Sequence, residues 1–199
     1  MSYLKRDDRT EMLLNATTEI MRQQGFVATT ARRIAQQSNS AIGNINRVFG
    51  SLQALKELAF ITLTQQVVVE FKQRALQMAP REAMLIMLGD PVECHELIEV
   101  HLWQEVAILA EQDASLTPIY TEALRVWHQA LCDTINDGVA QQAFRCSDTV
   151  EQTAWRLMAC ALGLDMLVRF GPLQPAQDEA RRSVLRMIDF ELNTAEFPD

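Results

Sequence analysis

The chain has 199 residues, an apolar fraction of 48% and a formal net charge of −8, enough length and apolar material for one large core or two smaller ones. Seven Gly, six Pro and no sustained two-residue alternation exclude a sheet protein and favour an all-α one. There is no apolar run of about eighteen residues, and MSYLKRDDRT carries no apolar signal core, so a cytoplasmic chain with no membrane span is expected.

Taken in order, Tyr3 to Gln24 forms a first helix with Met12, Leu13, Ala16 and Ile20 at helical spacing, and Gly25 stops it. Lys5, Arg6 and Arg9 lie ahead of its apolar face. They read either as a basic arm reaching phosphates or as a solvated stretch, since Asp7 and Asp8 lie among them. Thr29 or Thr30 caps a second helix, whose apolar stripe is Ala31, Ile34 and Ala35. Ser38, Asn39 and Ser40 break it, because their side chains compete with the helical backbone and Asn tolerates the left-handed conformation of a tight turn. The segment Ala41 to Phe49 resumes the helix with Ile45 and Phe49 inward, leaving Ile42, Gly43, Asn44, Asn46 and Arg47 outside. A helix-turn-helix inserts its second helix in the DNA major groove, where Asn and Arg donate to base edges and a small residue permits close approach. Arg32 and Arg33, on the outer side of the second helix, suit phosphate contact. Local charge agrees: residues 1 to 60 carry +3 and residues 61 to 199 carry −11. Phosphate attraction acts over a Debye length of about 8–10 Å, so the local excess outweighs the total.

Gly25-Phe26, ATTARRIA, the Gly43-x-Ile45 spacing, Phe49, Ser51 and Leu55 together resemble the DNA-binding half of the TetR family of bacterial repressors. The close similarity covers about the first sixty residues. It implies a DNA-binding domain over residues 1–55, an effector-binding and dimerisation domain over 56–199, and operator contacts from Thr30, Arg32, Arg33, Ala41 to Asn44, Asn46, Arg47 and Ser51. Several positions depart from the family pattern. Asn39 stands where Gly is usual, Ser40-Ala41 for Val-Ser, Asn46 for Tyr, Val48 for His or Tyr, and Leu52 for Lys. The family's Tyr and Lys contact phosphates, so these two changes bear on affinity and on the operator footprint. A weaker similarity to choline-responsive members lies near Leu162 to Phe170.

Ser51 suits the cap of a fourth helix running through Leu55, Leu58, Ile61 and Val68 to about Met78; being continuous, it is a natural lever between the two halves. Pro80 opens the next segment and Gly89-Asp90-Pro91 breaks it. A core helix follows from Val92 to Gln112, then one from Ser115 to Pro118 onward that ends near Gln142. Asp148 and Glu151 resemble an acidic capping box at the head of Val150 to Phe170, and Pro175 opens a last helix with Val184, Leu185, Ile188 and Leu192 inward. About nine helices result.

The run Leu157 to Leu164 is apolar on every side and needs a second burial partner. With the last helix it suits a four-helix interface to a twin chain through Met158, Leu162, Met166, Leu185 and Ile188, a homodimer being what two operator half-sites require; the alternative is the central helix of a monomeric bundle. Trp103, Tyr120, Trp127, Trp155 and Asp165 are candidates for a small-molecule effector pocket, in which rings and an acid suit an organic cation. The alternative is that the tryptophans are core and that Asp165 pairs with Arg169 or Arg156. His95 with Glu99, and His101 with Glu105, each offer two groups four apart. Without a third ligand at motif spacing, no metal or other cofactor is expected. Cys94, Cys132, Cys146 and Cys160 lack CxxC spacing and read as reduced, packed thiols. No nucleophile elbow, phosphate loop, dinucleotide fingerprint or HExxH occurs, so the chain does not read as an enzyme. The function expected is a ligand-responsive transcriptional regulator, a repressor released from a palindromic operator by an effector. The alternative is an interaction protein of the same build that has lost sequence-specific DNA binding.

Overall fold

The computed structural model describes residues 6–93, 98–170 and 177–193. Among them are nine α-helices: α1 (Arg6–Gln24), α2 (Ala31–Gln37), α3 (Gly43–Phe49), α4 (Leu52–Ala75), α5 (Pro80–Met87), α6 (Ile98–Gln112), α7 (Thr117–Ala140), α8 (Val150–Phe170) and α9 (Gln177–Leu192), with a short 3-10 turn at Ala114–Leu116 and no strand. The all-α reading holds. Lys5, Cys94, His95 and Pro175 lie outside the described residues, as do the side chains of Arg6, Glu99 and Arg169.

Two compact units form, Met1–Gln66 with Leu97–Leu124 and Val67–Glu96 with Arg125–Asp199, so α4 and α7 contribute to both. The division does not fall at residue 55, the boundary that the helix-turn-helix pattern alone suggests. Helix α6, distant in sequence, packs on α1 and belongs with it.

In the first unit the core is Leu13, Ile20, Ile34, Ile45 and Leu55, flanked by Leu14, Ala31, Val48, Phe49 and Leu52. One residue from each of α2, α3 and α4 therefore plugs onto one face of α1. Local chemistry sets the turns. Thr30 caps α2, its hydroxyl accepting from the Arg33 N–H at 3.4 Å. Ser38 Oγ donates to the Ile34 carbonyl at 2.7 Å. Asn39 takes φ +47°, and the Ser40 N–H then closes back on the Ala35 carbonyl at 2.9 Å. That is the left-handed C-terminal closure for which the TetR pattern uses Gly, and Asn is the non-glycine residue that reaches it at least cost. Helix α3 starts at Gly43, two residues after the expected Ala41, because Ala41 and Ile42 form an i+3 turn into it. Ser51 Oγ accepts from the Ala54 N–H at 3.0 Å and caps α4, as expected. Helix α4 stops at Ala75, short of Met78.

In the second unit α9 packs on α5 and α8. Ala180, Val184, Ile188 and Leu192, each four apart, form its buried stripe. Leu185, expected inward, is half-buried beside it. The same helix buries two carboxylates. Asp189 receives a bidentate pair from Arg81 at 2.6 and 2.7 Å, and Glu191 receives Arg156 through Nε and Nη2, with contacts down to 2.7 Å. A third buried acid, Asp90, accepts from Arg181 Nε at 2.8 Å and from the Val92 N–H at 3.0 Å. Buried charge survives only when matched in this way. The cap of α8 differs from the expected Asp148/Glu151 box. Thr149 Oγ1 accepts from the Gln152 N–H at 3.3 Å, while Asp148 accepts from the Thr149 N–H at 2.7 Å and from Arg156 Nη1 at 2.9 Å. The arginine competes for the aspartate and leaves the cap to the threonine.

Replacing Arg156 by Leu leaves the buried Glu191 without its arginine, and chemical denaturation is expected to read a clear loss of stability. The double variant Arg156→Leu/Glu191→Leu recovers most of it, since an apolar pair needs no charge partner.

Candidate nucleic-acid interface

Helix α3 is held by Ile45, which is buried, and by the half-buried Val48 and Phe49, so its opposite face is open. On that face Ala41, Ile42, Gly43, Asn46 and Arg47 are exposed and Asn44 is half-buried. A Cβ built on Gly43 meets nothing within 4 Å, so nothing inside the chain requires glycine there. A polar chain orders the rest: Asn44 Nδ2 donates to Ser40 Oγ at 2.7 Å, and Arg47 Nη2 donates to Asn44 Oδ1 at 2.6 Å. The Arg47 guanidinium is thus set by the turn rather than swinging freely, which lowers the entropy lost on engaging a ligand.

Arg32 and Arg33 differ. Arg33 Nη1 donates to Gln24 Oε1 at 2.7 Å and to the Ala28 carbonyl at 3.0 Å, tying α2 to the end of α1. Arg32 is exposed and has no hydrogen bond or ion pair among the described residues. Thr30 and Ser51 serve as helix caps with exposed side chains.

Glu105 on α6 supplies a contact that the sequence did not reveal. It spans the turn between α1 and α2: the Phe26 N–H donates to its Oε2 at 2.7 Å and the Val27 N–H to its Oε1 at 2.9 Å. Gly25 sits at φ +88°, and a Cβ on it would lie 2.7 Å from Oε2. Glycine is needed there both for the left-handed backbone and for the approach of the carboxylate. Lys56 lies 4.0 Å above the Phe26 ring; desolvation lowers its pKa and the Glu105 charge opposes that. With both oxygens engaged, Glu105 is committed to the turn rather than to a metal with His101. No cluster of three metal-ligating side chains occurs among the described residues. In the sequence the carboxylate stood out only through its place four residues after His101 and two after Trp103.

The candidate effector residues fall into two groups. Trp103 and Tyr120, in the first unit, meet edge to face with ring centres 6.1 Å apart, and the rings continue through Phe60 to Phe26 at 5.8 and 6.4 Å. In the second unit Trp127 Nε1 donates to the Met87 carbonyl at 2.7 Å, and Trp155 stacks on His128 at 4.2 Å. Asp165 is half-buried. Arg156, one of its two expected partners, is occupied by Glu191 and Asp148.

Of the candidate dimer residues, Met158 and Ile188 are already buried within one chain, Leu162 and Leu185 are half-buried, and Met166 is 52% exposed. The outer stripe of α8 instead runs Trp155, Ala159, Gly163, Met166 and Leu167, with Leu167 56% exposed, while Phe190 of α9 is 76% exposed. Of the cysteines, Cys132 is buried and Cys146 and Cys160 half-buried, all with free thiols whose pKa desolvation raises.

No protein-family model and no curated protein matches the chain. Solved structures do. A TetR-family transcriptional regulator from Cytophaga hutchinsonii superposes with a TM-score of 0.75 at 17% identity, covering 96% of this chain and 98% of that one. A putative transcriptional regulator from Saccharomonospora viridis in complex with choline gives 0.69 at 19%, covering 94% and 98%. The multidrug binding protein EbrR complexed with proflavin gives 0.62 at 19%, covering 90% and 99%. At these identities the likeness is one of fold: the all-α fold of TetR-family transcriptional regulators, over nearly the whole chain.

Gly25→Ala is expected to destabilise the chain by at least about 1–2 kcal/mol through the left-handed backbone alone. Glu105→Ala is expected to leave the helices intact while speeding amide hydrogen exchange at Phe26 and Val27. Unchanged exchange there would show that the carboxylate does not hold the turn.

Proposed function

We propose that the chain is a ligand-responsive transcriptional regulator, a repressor that binds a palindromic operator as a homodimer and is released by a small-molecule effector. The observation that carries this reading is the outer face of α3, exposed and hydrogen-bonding, mounted on Leu13 and Ile20 of α1 by a core to which α2, α3 and α4 each give one buried residue. Residues 1–55 act as the reading head, with α3 in the major groove and Arg32, Thr30 and Ser51 toward the phosphates. Residues 56–199 bind the effector and join the two copies, setting the heads about 34 Å apart, one turn of duplex. The protein acts in the cytoplasm as a regulator rather than an enzyme.

The twin chain covers the outer stripe of α8 and Phe190. Exposed Trp155, Met166 and Leu167 around the small Ala159 and Gly163 support this, because small residues let a partner helix approach closely. The effector engages Trp103 and Tyr120, whose rings meet edge to face. Choline and proflavin, bound by two proteins of this fold, are both organic cations and the first probes to try. An effector that displaces Trp103 moves Glu105 on the same helix, and Glu105 grips the turn leading into α2. A hundredfold preference for the released state supplies about 2.7 kcal/mol, enough to shift a regulator between its two populations.

A second reading, an interaction protein of this fold without sequence-specific DNA binding, draws on Asn46 and Leu52 in place of the family's phosphate-contacting Tyr and Lys. Titration with duplex DNA separates the two. A regulator shows affinity that falls steeply as salt rises, and Arg32→Ala lowers the salt slope by about one. Arg47→Ala weakens operator binding without altering dimerisation; unchanged affinity removes Arg47 from the head. Absence of any salt-dependent duplex binding favours the second reading. Met166→Glu is expected to give monomers in sedimentation, and an unaltered dimer would move the interface off α8.

A further inference from the structure

We propose that the operator half-site read by α3 contains a thymine whose C5-methyl group packs against Ile42. The inference rests on the reading of the chain as a DNA-binding regulator and names what that head recognises. Ala41, Ile42 and Gly43 form a continuous exposed stretch, and none carries a side-chain donor or acceptor. Ile42 is 53% exposed, although Ile34 and Ile45, its nearest counterparts in sequence, are buried in the core of the first unit. It takes no part in the cluster that anchors α3, whose members from this segment are Ile45, Val48 and Phe49. Beside it, the space around Gly43 is open, so a neighbouring surface can approach the backbone.

The one polar side chain in the first turn of α3 is already engaged. Asn44 has its amide nitrogen on Ser40 and its oxygen under Arg47. The leading turn of α3 therefore presents an apolar tip, and in helix-turn-helix docking the N-terminal residues of the second helix are the ones that meet base edges. In the major groove guanine, adenine and cytosine display hydrogen-bonding groups, whereas thymine adds a methyl group that apolar side chains contact. An isoleucine facing cytosine would cover an amine and leave it without a partner; facing thymine it covers a methyl group. The +3 balance of the first sixty residues supplies the general attraction to the duplex, and Ile42 supplies discrimination at one base pair.

The experiment selects duplexes from a random pool with the full-length protein and then replaces each thymine of the enriched half-site, one at a time, by uracil. That change removes the methyl group and leaves the hydrogen-bonding edge intact. One thymine per half-site is expected to lower wild-type affinity about fourfold when demethylated, the effect of roughly one buried CH₂-sized group. Ile42→Ala is expected to be indifferent to the same swap, while Ile42→Val, which keeps a branched apolar tip, stays sensitive. A half-site without a methyl-sensitive thymine, or sensitivity that persists in Ile42→Ala, overturns the proposal while leaving a sequence-specific regulator standing. Failure to enrich any duplex overturns both.

Discussion

One carboxylate joins parts of the chain that local sequence would leave separate. Glu105 lies 79 residues from Phe26, yet its two oxygens take the N–H groups of Phe26 and Val27, the donors left free where α1 has ended and α2 has not begun. Hydrogen bonds to a charged acceptor are the stronger kind, and two on one rigid turn fix its direction as well as its position. The left-handed Gly25 makes room for that acceptor. From this turn the chain passes to Thr30, the cap of α2, and then to the closure at Asn39 that aims α3. The pose of the outer face of α3 therefore depends on α6 as well as on the helices that precede it.

The helix-turn-helix is also selective about which of its polar groups remain available. Arg33 is spent on the end of α1 and Asn44 on its own turn, whereas Arg32 and Asn46 have no side-chain partner among the described residues. A chain with eight negative charges in excess still carries +3 over its first sixty residues, its acidic surplus lying beyond residue 60 in the sequence. Preorganisation is built into this face: a guanidinium already held by Asn44 loses less freedom on engaging a ligand.

The second unit solves a different problem. Helix α9 carries a regular apolar stripe, yet places Asp189 and Glu191 where water is scarce, and each is matched by an arginine from a neighbouring helix. Such pairs add little net stability over apolar packing but penalise any register in which donor and acceptor fail to meet. Helix α8 is apolar on two faces. One packs within the chain through Ala154, Leu157, Met158 and Ala161, and the other leaves Trp155, Met166 and Leu167 exposed.

The sequence by itself determined the helices, the caps of α2 and α4 and the helix-turn-helix, because these follow from short-range physics. Apolar spacing placed Ile34, Ile45 and Leu55 inward, and the hydroxyls of Thr30 and Ser51 and the turn at Asn39 act within three or four residues of themselves. The outer residues of α3 were legible for the same reason, being what remains once the inward ones are assigned. The tertiary structure alone decided which of those residues are already engaged, which acid pairs with which arginine, and which side of α8 stays open. It also drew α6 into the N-terminal unit through Glu105, an acid that in sequence stood only beside a tryptophan and a histidine. Helical periodicity says that a face is apolar or polar, but not what lies against it; that is fixed only when elements tens of residues apart meet.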